Sequence, residues 1–220
     1  MLQKEKTMLE ILESQKKANR RQFVKVLTAG GLSAALATQL GHLALAQSQG
    51  VSDLDVLNLA LTAEYLATDA YTRALTVAFP SNIRDYLAEA LKHEEAHVKA
   101  LQDTISGPFR ATPVARPQFT YGDLQFNAAN RLKVLETLVA LETAFTGAYL
   151  GAIPLIQNKA VLSAAASIGM NEEAHLAILR DAVISLGGRV EGPQTPVGRA
   201  FAAAITPEQA TRAVQGFIRR

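Results

Sequence analysis

The tetrapeptide Glu-Glu-Ala-His occurs twice in this 220-residue chain, as Glu94–His97 and as Glu172–His175. In each copy the first glutamate and the histidine are three residues apart. On a helix that spacing puts both side chains on one face, where they can converge on one point. The copies are 78 positions apart, and the same step carries Glu64 onto Glu142, Tyr71 onto Tyr149 and Asp103 onto Asp181 without a gap. Glu64 and Glu142 each interrupt an otherwise apolar stretch, residues 59–67 and 138–145. A carboxylate in such surroundings is unfavourable by several kcal/mol unless it takes up a proton or meets cations. Four carboxylates and two imidazoles, related by one offset, are therefore the residues of this chain with chemistry to do.

The elements that must position them read as helices. Hydrophobic residues make up 49% of the chain, with alanine and leucine leading and few β-branched or aromatic runs, so the fold class expected is all-α. Four long helical stretches are expected. The first runs from about Ser52 to Ala78, with Ser52 or Asp53 as N-cap, and is broken at Phe79-Pro80. The second runs from about Ile83 to Ile105, the third from about Ala128 to Ile153 before Pro154, and the fourth from about Lys159 to Leu186 before Gly187-Gly188. Two short connections and one long, proline-containing segment (Gly107 to Phe126) describe a four-helix bundle with a single crossover between helices two and three. The residues at 64–103 and 142–181 agree at 12 of 40 positions, which fits a duplicated helical hairpin, neither half of which can bury its apolar face alone. The bundle is expected over residues 47–186. A tail over 187–220 is expected to end in a short helix, with Thr206 as N-cap and Pro207 at its first position.

One Glu from each of two helices and one Glu-x-x-His from each of the other two is a constellation that resembles the di-iron or di-manganese carboxylate site of the ferritin-like superfamily. The resemblance covers about residues 52 to 186. It implies Glu64, Glu94, His97, Glu142, Glu172 and His175 as ligands of two divalent ions, whose four positive charges balance the four carboxylates. Mixed carboxylate and imidazole donors suit iron and manganese. Tyr71 and Tyr149 share a face with Glu64 and Glu142 two turns away, as core packing or as hydrogen-bonding or redox-active tyrosines above the metals. Glu95 and Glu173 lie about 100° around their helices from the ligands, as acceptors for a neighbouring histidine or as flank ion pairs. His93 is one turn before His97, but its counterpart is Asn171, which argues against a ligand role. Glu136 occupies a position where a seventh carboxylate of the rubrerythrin kind could lie, though solvent exposure is the simpler reading, and Asp103 and Asp181 face away from the ligands.

The N-terminus is read separately. Asn19-Arg20-Arg21-Gln22-Phe23-Val24-Lys25 precedes an apolar, small-residue run that ends Ala44-Leu45-Ala46. It resembles a twin-arginine export signal, with Asn and Val where Ser/Thr and Leu are usual, followed by a small-x-small cleavage pattern. Residues 1–46 are accordingly expected to be a signal peptide, with a retained membrane anchor as the alternative. Export to the periplasm, cell surface or exterior of a bacterium, with the twin-arginine translocation machinery as partner, would follow. That segment holds seven Lys/Arg and three Glu of the chain's 22 basic and 20 acidic residues, which leaves the remainder slightly acidic and without a nucleic-acid footprint. No cysteine is present, which excludes disulfides, iron–sulfur clusters, thiol nucleophiles and rubredoxin-type centres.

In layout the chain is similar to the secreted ferritin-like proteins, including the desiccation-related group. The resemblance implies an oxidoreductase that reacts with oxygen or hydrogen peroxide at the two ions. A ferroxidase would take electrons from Fe(II), and a manganese-catalase-like enzyme would disproportionate peroxide without an outside donor. The third reading is a non-catalytic metal-binding or stress-protective protein. A homo-oligomer is compatible with all three.

Overall fold

A computed structural model describes residues 50–219. The expected signal segment, residues 1–46, lies outside the described residues.

Helix α1 spans Asp53–Ala74, α2 Ser81–Ser106, α3 Arg131–Ala152, α4 Lys159–Ser185 and α5 Pro207–Gln215. Side-chain caps start α1, α4 and α5. Ser52 accepts from the Asp55 amide while the Asp55 side chain returns the bond, a capping box. Asn158 accepts from the amides of Ala160 and Val161 at the start of α4. Thr206 and Gln209 form a second capping box ahead of α5, with Pro207 at its first position. The ends differ from the sequence expectation by a few residues. The last residues expected in α1 instead tighten into turns, Thr76 N–H to Arg73 O and Val77 N–H to Ala74 O, ahead of Pro80. With Pro80 as its N-cap, α2 begins two residues earlier than expected. The first turn expected of α3 is a 3-10 turn, Ala128–Asn130, capped by the Asn127 side chain.

The five helices form a four-helix bundle with one appended helix, and no named strand occurs among the described residues. α1 pairs with α2 and α3 with α4 as hairpins, and α1 packs on α3 and α2 on α4 across the bundle. Both cross-bundle pairs are antiparallel. Tyr86 and His97 of α2 lie beside His175 and Glu172 of α4, while Asp53 at the head of α1 accepts from the amides of Gln157 and Asn158 beyond the end of α3. Each helix of one hairpin thus meets its repeat equivalent in the other running in the opposite direction, and the equivalent residues Leu57 and Leu135 are both buried in the core.

The crossover, residues 107–127, runs along the bundle and is tied down at several points. Val114 N–H donates to Asn58 Oδ1 at 3.0 Å, and Tyr121 O–H donates to Asp69 Oδ2 at 3.0 Å. Phe119 forms a bridge with Ile218, so the crossover and the end of the chain hold each other. The tail also crosses α3 closely. Ile205 N–H donates to Gly147 O, and a Cβ at Gly151 would collide with the Ile205 carbonyl. A glycine is required there by a close approach of two backbones. No helix among the described residues is long and apolar enough to cross a membrane.

Candidate metal centre

The six residues singled out by spacing converge at the centre of the bundle. Glu64 comes from α1, Glu94 and His97 from α2, Glu142 from α3, and Glu172 and His175 from α4. All four glutamates are buried and His175 is 2% exposed, whereas the His97 side chain keeps 13% of its surface. Ligand atoms of Glu64, Glu94, His97 and Glu172 lie within 4.8 Å of one another, and so do those of Glu94, Glu142, Glu172 and His175. Glu94 and Glu172 belong to both groups. Glu94 turns Oε2 toward His97 Nδ1 at 3.4 Å and Oε1 toward His175 Nδ1 at 2.8 Å. Glu172 does the same, with Oε1 at 3.1 Å from His97 Nδ1 and Oε2 at 3.7 Å from His175 Nδ1. Each thus offers one oxygen to either group. Glu64 lies only with His97, at 3.3 Å, and Glu142 only with His175, at 3.7 Å, as terminal donors.

The donor atoms fit a cation better than they fit each other. Oε2 of Glu64 and of Glu142, Oε1 of Glu94, both oxygens of Glu172 and Nδ1 of His175 are buried without a hydrogen bond. Even the 2.8 Å approach of His175 Nδ1 to Glu94 lacks hydrogen-bond geometry. Buried polar atoms left unpaired are expensive, so a cluster of them aimed inward implies a partner that binds oxygen and nitrogen lone pairs. Two overlapping groups built from four carboxylates and two imidazoles are donor sets that could hold metal ions.

Without cations, protons balance the charge. Burial alone would depress the imidazoles, but the surrounding glutamates outweigh it and hold His97 and His175 up at about 12. Burial pushes Glu94 up to about 8 against the pull of the two histidines. Glu142 is raised well above the usual carboxylate range by burial first and then by repulsion from Glu172. Glu64 moves the other way: its burial is outweighed chiefly by His97.

The tyrosines are part of the site. Tyr71 O–H donates to Glu142 Oε1 at 2.6 Å, and Tyr149 O–H donates to Glu64 Oε1. Burial, reinforced by the neighbouring carboxylates, raises both phenols well above their ordinary value, so they stay protonated and act as donors. Gly169 of α4 leaves room for Tyr149, since a Cβ there would stand 2.9 Å from Tyr149 Cβ.

The flanking residues are distributed differently. Glu95 is exposed and orients no histidine, and Glu173 lies 3.9 Å from Arg199 of the tail, so neither supports a ligand. The helix turns both away from the bundle axis. Glu136 is exposed, and Asp103 pairs with Lys99 on the surface. His93 is not among the converging donors, but its Nδ1 lies 3.1 Å from His175 Nε2. Tyr86 O–H donates to the backbone carbonyl of His175. Neither contact follows from the repeat, because the positions equivalent to His93 and Tyr86 are Asn171 and Ala164. The one sequence signal for His93 was its place one turn before His97.

Two apolar cavities reach Tyr149. One of about 380 Å³ lies between α1, α3 and α5, and one of about 150 Å³ lies between α1, α2 and α4. Their size and apolar walls suit small reactants.

Among known families, the model described as a ferritin-like domain matches residues 52–185, more than half of the chain. None of the curated proteins matches.

Proposed function

The chain belongs to the ferritin-like family, and on that footing we propose that it holds two divalent iron or manganese ions between its four long helices and reacts there with oxygen or hydrogen peroxide. The observation that carries this reading is the pair of overlapping donor groups sharing Glu94 and Glu172. Bound there, the ions supply Lewis acidity and reversible one-electron chemistry. The protein's part is to hold them. Glu94 and Glu172 would contribute to holding both ions, Glu64 with His97 and Glu142 with His175 would complete one each, and Tyr71 and Tyr149 orient Glu142 and Glu64 by hydrogen bonds. Burial of the cluster excludes water from the reacting centre, and the apolar cavities against Tyr149 give small molecules a way in.

The chain has no cysteine and hence no iron–sulfur or rubredoxin-type centre of its own to deliver electrons. On this proposal the substrate itself is the reductant. Either Fe(II) gives electrons to oxygen, or one peroxide is oxidised to oxygen while another is reduced to water. Metal analysis followed by an oxygen electrode tests the reading. Iron with oxygen consumption on adding Fe(II) identifies a ferroxidase, and manganese with oxygen release from peroxide identifies a catalase. Stoichiometric metal with neither reaction leaves a metal-binding or stress-protective role. A purified chain with no stoichiometric metal overturns the proposal.

Export by the twin-arginine route belongs to the same proposal, supported by the Arg20-Arg21 pair and the apolar run after it. That route carries folded proteins, so manganese or iron can be loaded before the site meets copper or zinc, which nitrogen and oxygen donors otherwise favour. Replacing Arg20 and Arg21 by Lys is expected to retain the protein inside the cell, and equal export of that variant would contradict it.

A further inference from the structure

The two halves of the site have the same donors but different surroundings. For the nitrogen that faces the carboxylates, His175 Nδ1, to offer a lone pair, the single proton of the neutral ring must sit on Nε2 and find an acceptor there. His93 Nδ1 is that acceptor, 3.1 Å away, with the two ring planes within 8° of parallel. His93 Nε2 in turn lies 3.8 Å from Glu89 Oε1, a carboxylate on the next turn that favours the proton on that side of the His93 ring. Tyr86 adds a hydrogen bond to the His175 carbonyl at 3.1 Å, and the rings of Tyr71 and Tyr86 meet the imidazole edge-on. His175 is held on every side. His97 has none of this: Asn171 makes no hydrogen bond to it among the described residues, Ala164 has no group to offer, and the His97 ring is the more exposed.

We propose that His93 is a positioning residue that fixes His175 with Nδ1 toward the carboxylates, so that the Glu142–His175 half takes its ion first and more tightly than the Glu64–His97 half. The inference rests on the two-ion reading above. It makes the ion beside His97 the exchangeable one, although the donor types of the two halves are identical. The partner of a metal-bound histidine typically changes metal affinity by about 10- to 100-fold when removed, enough to resolve two binding steps.

The test is titration of the metal-free full chain with Co(II), followed by calorimetry and by the visible absorption of the bound ion. Two resolved steps are expected. His93→Leu should weaken the tighter step by about 10- to 100-fold and leave the weaker one in place. His93→Asn, whose side-chain oxygen takes the place of Nδ1 as acceptor, should restore most of the loss, and Asn171→Leu should change neither step. Nitrogen-15 spectra of histidine-labelled, Zn(II)-loaded wild-type protein read the ring directly, and a proton on Nε2 of His175 is expected, whatever the fold of the variants. Two equal steps in the wild type, an unchanged tighter step in His93→Leu, or a proton on Nδ1 would overturn the inference and leave the two-ion reading standing. No binding by the wild type would instead overturn the reading beneath it.

Discussion

Tyr71 of the first hairpin hydrogen-bonds to Glu142 of the second, and the repeat equivalent, Tyr149 of the second, returns the bond to Glu64 of the first. Each half of the duplicated fold thus orients the terminal carboxylate of the other. The duplication accounts for more than two similar donor sets, because it locks the two hairpins together at the site itself. Replacing Tyr71 or Tyr149 by Phe should leave the helical content intact and lower metal affinity by about tenfold or more, as read by Mn(II) titration. The double variant should be affected at both ions.

The sharing of Glu94 and Glu172 predicts an asymmetry among the glutamates. Glu142→Gln or Glu64→Gln should leave about one ion per chain, since each touches one donor group only. Glu94→Gln should leave almost none. Metal analysis after desalting reads the ratio directly. Equal losses from all four glutamates would argue against bridging.

Stability of the metal-free protein should fall as pH rises. Glu94 is held at about 8 against an ordinary 4.5, and His97 and His175 at about 12 against 6.5. In each case the folded state binds the extra proton, so the stabilisation is present at low pH. It is lost as pH climbs through the range of Glu94 and then toward that of the imidazoles. Glu64, which is lowered, acts in the opposite sense only below its ordinary 4.5. The metal-free Tm should therefore be lower at about pH 9 than at about pH 6. Divalent ions replace those protons, so metal affinity should rise over the same interval, and calorimetry in buffers of different ionisation heat should report proton release.

Gly169 offers a packing test. Alanine in place of glycine within a helix gains about 1 kcal/mol of propensity, but the new methyl would press on Tyr149 Cβ at 2.9 Å. Overpacking of this kind costs about 1–3 kcal/mol, so Gly169→Ala is expected to lower Tm and to weaken binding at the Glu64 side. A higher Tm would show that α4 yields without strain.

Much of this was readable in the sequence. Glu64 and Glu142 are visible because carboxylates in apolar helices stand out, and the step of 78 selects them along with the two Glu-x-x-His pairs. The crossover follows from the one long irregular segment between helical patterns. What the sequence did not reveal lies between helices. Spacing along one helix places Tyr71 on the face of Glu64, but the bond runs to Glu142 on another helix. Glu95 and Glu173 were open between two roles that differ by how far the helix is rotated in the bundle, and packing turns both outward. His93 breaks the repeat, so the offset that selects the six donors argues against it, although it reaches across to His175. Helix ends shifted by a few residues where the turn ahead of Pro80 and the 3-10 turn before Arg131 take over from regular helix.

The two-ion site itself is tested most directly by anomalous scattering at the manganese edge from crystals of the Mn(II)-loaded chain. Two peaks inside the bundle are predicted, one contacted by Glu64 and His97, the other by Glu142 and His175, with Glu94 and Glu172 touching both. No peak among these six residues, or a single one contacted by all of them, would contradict it.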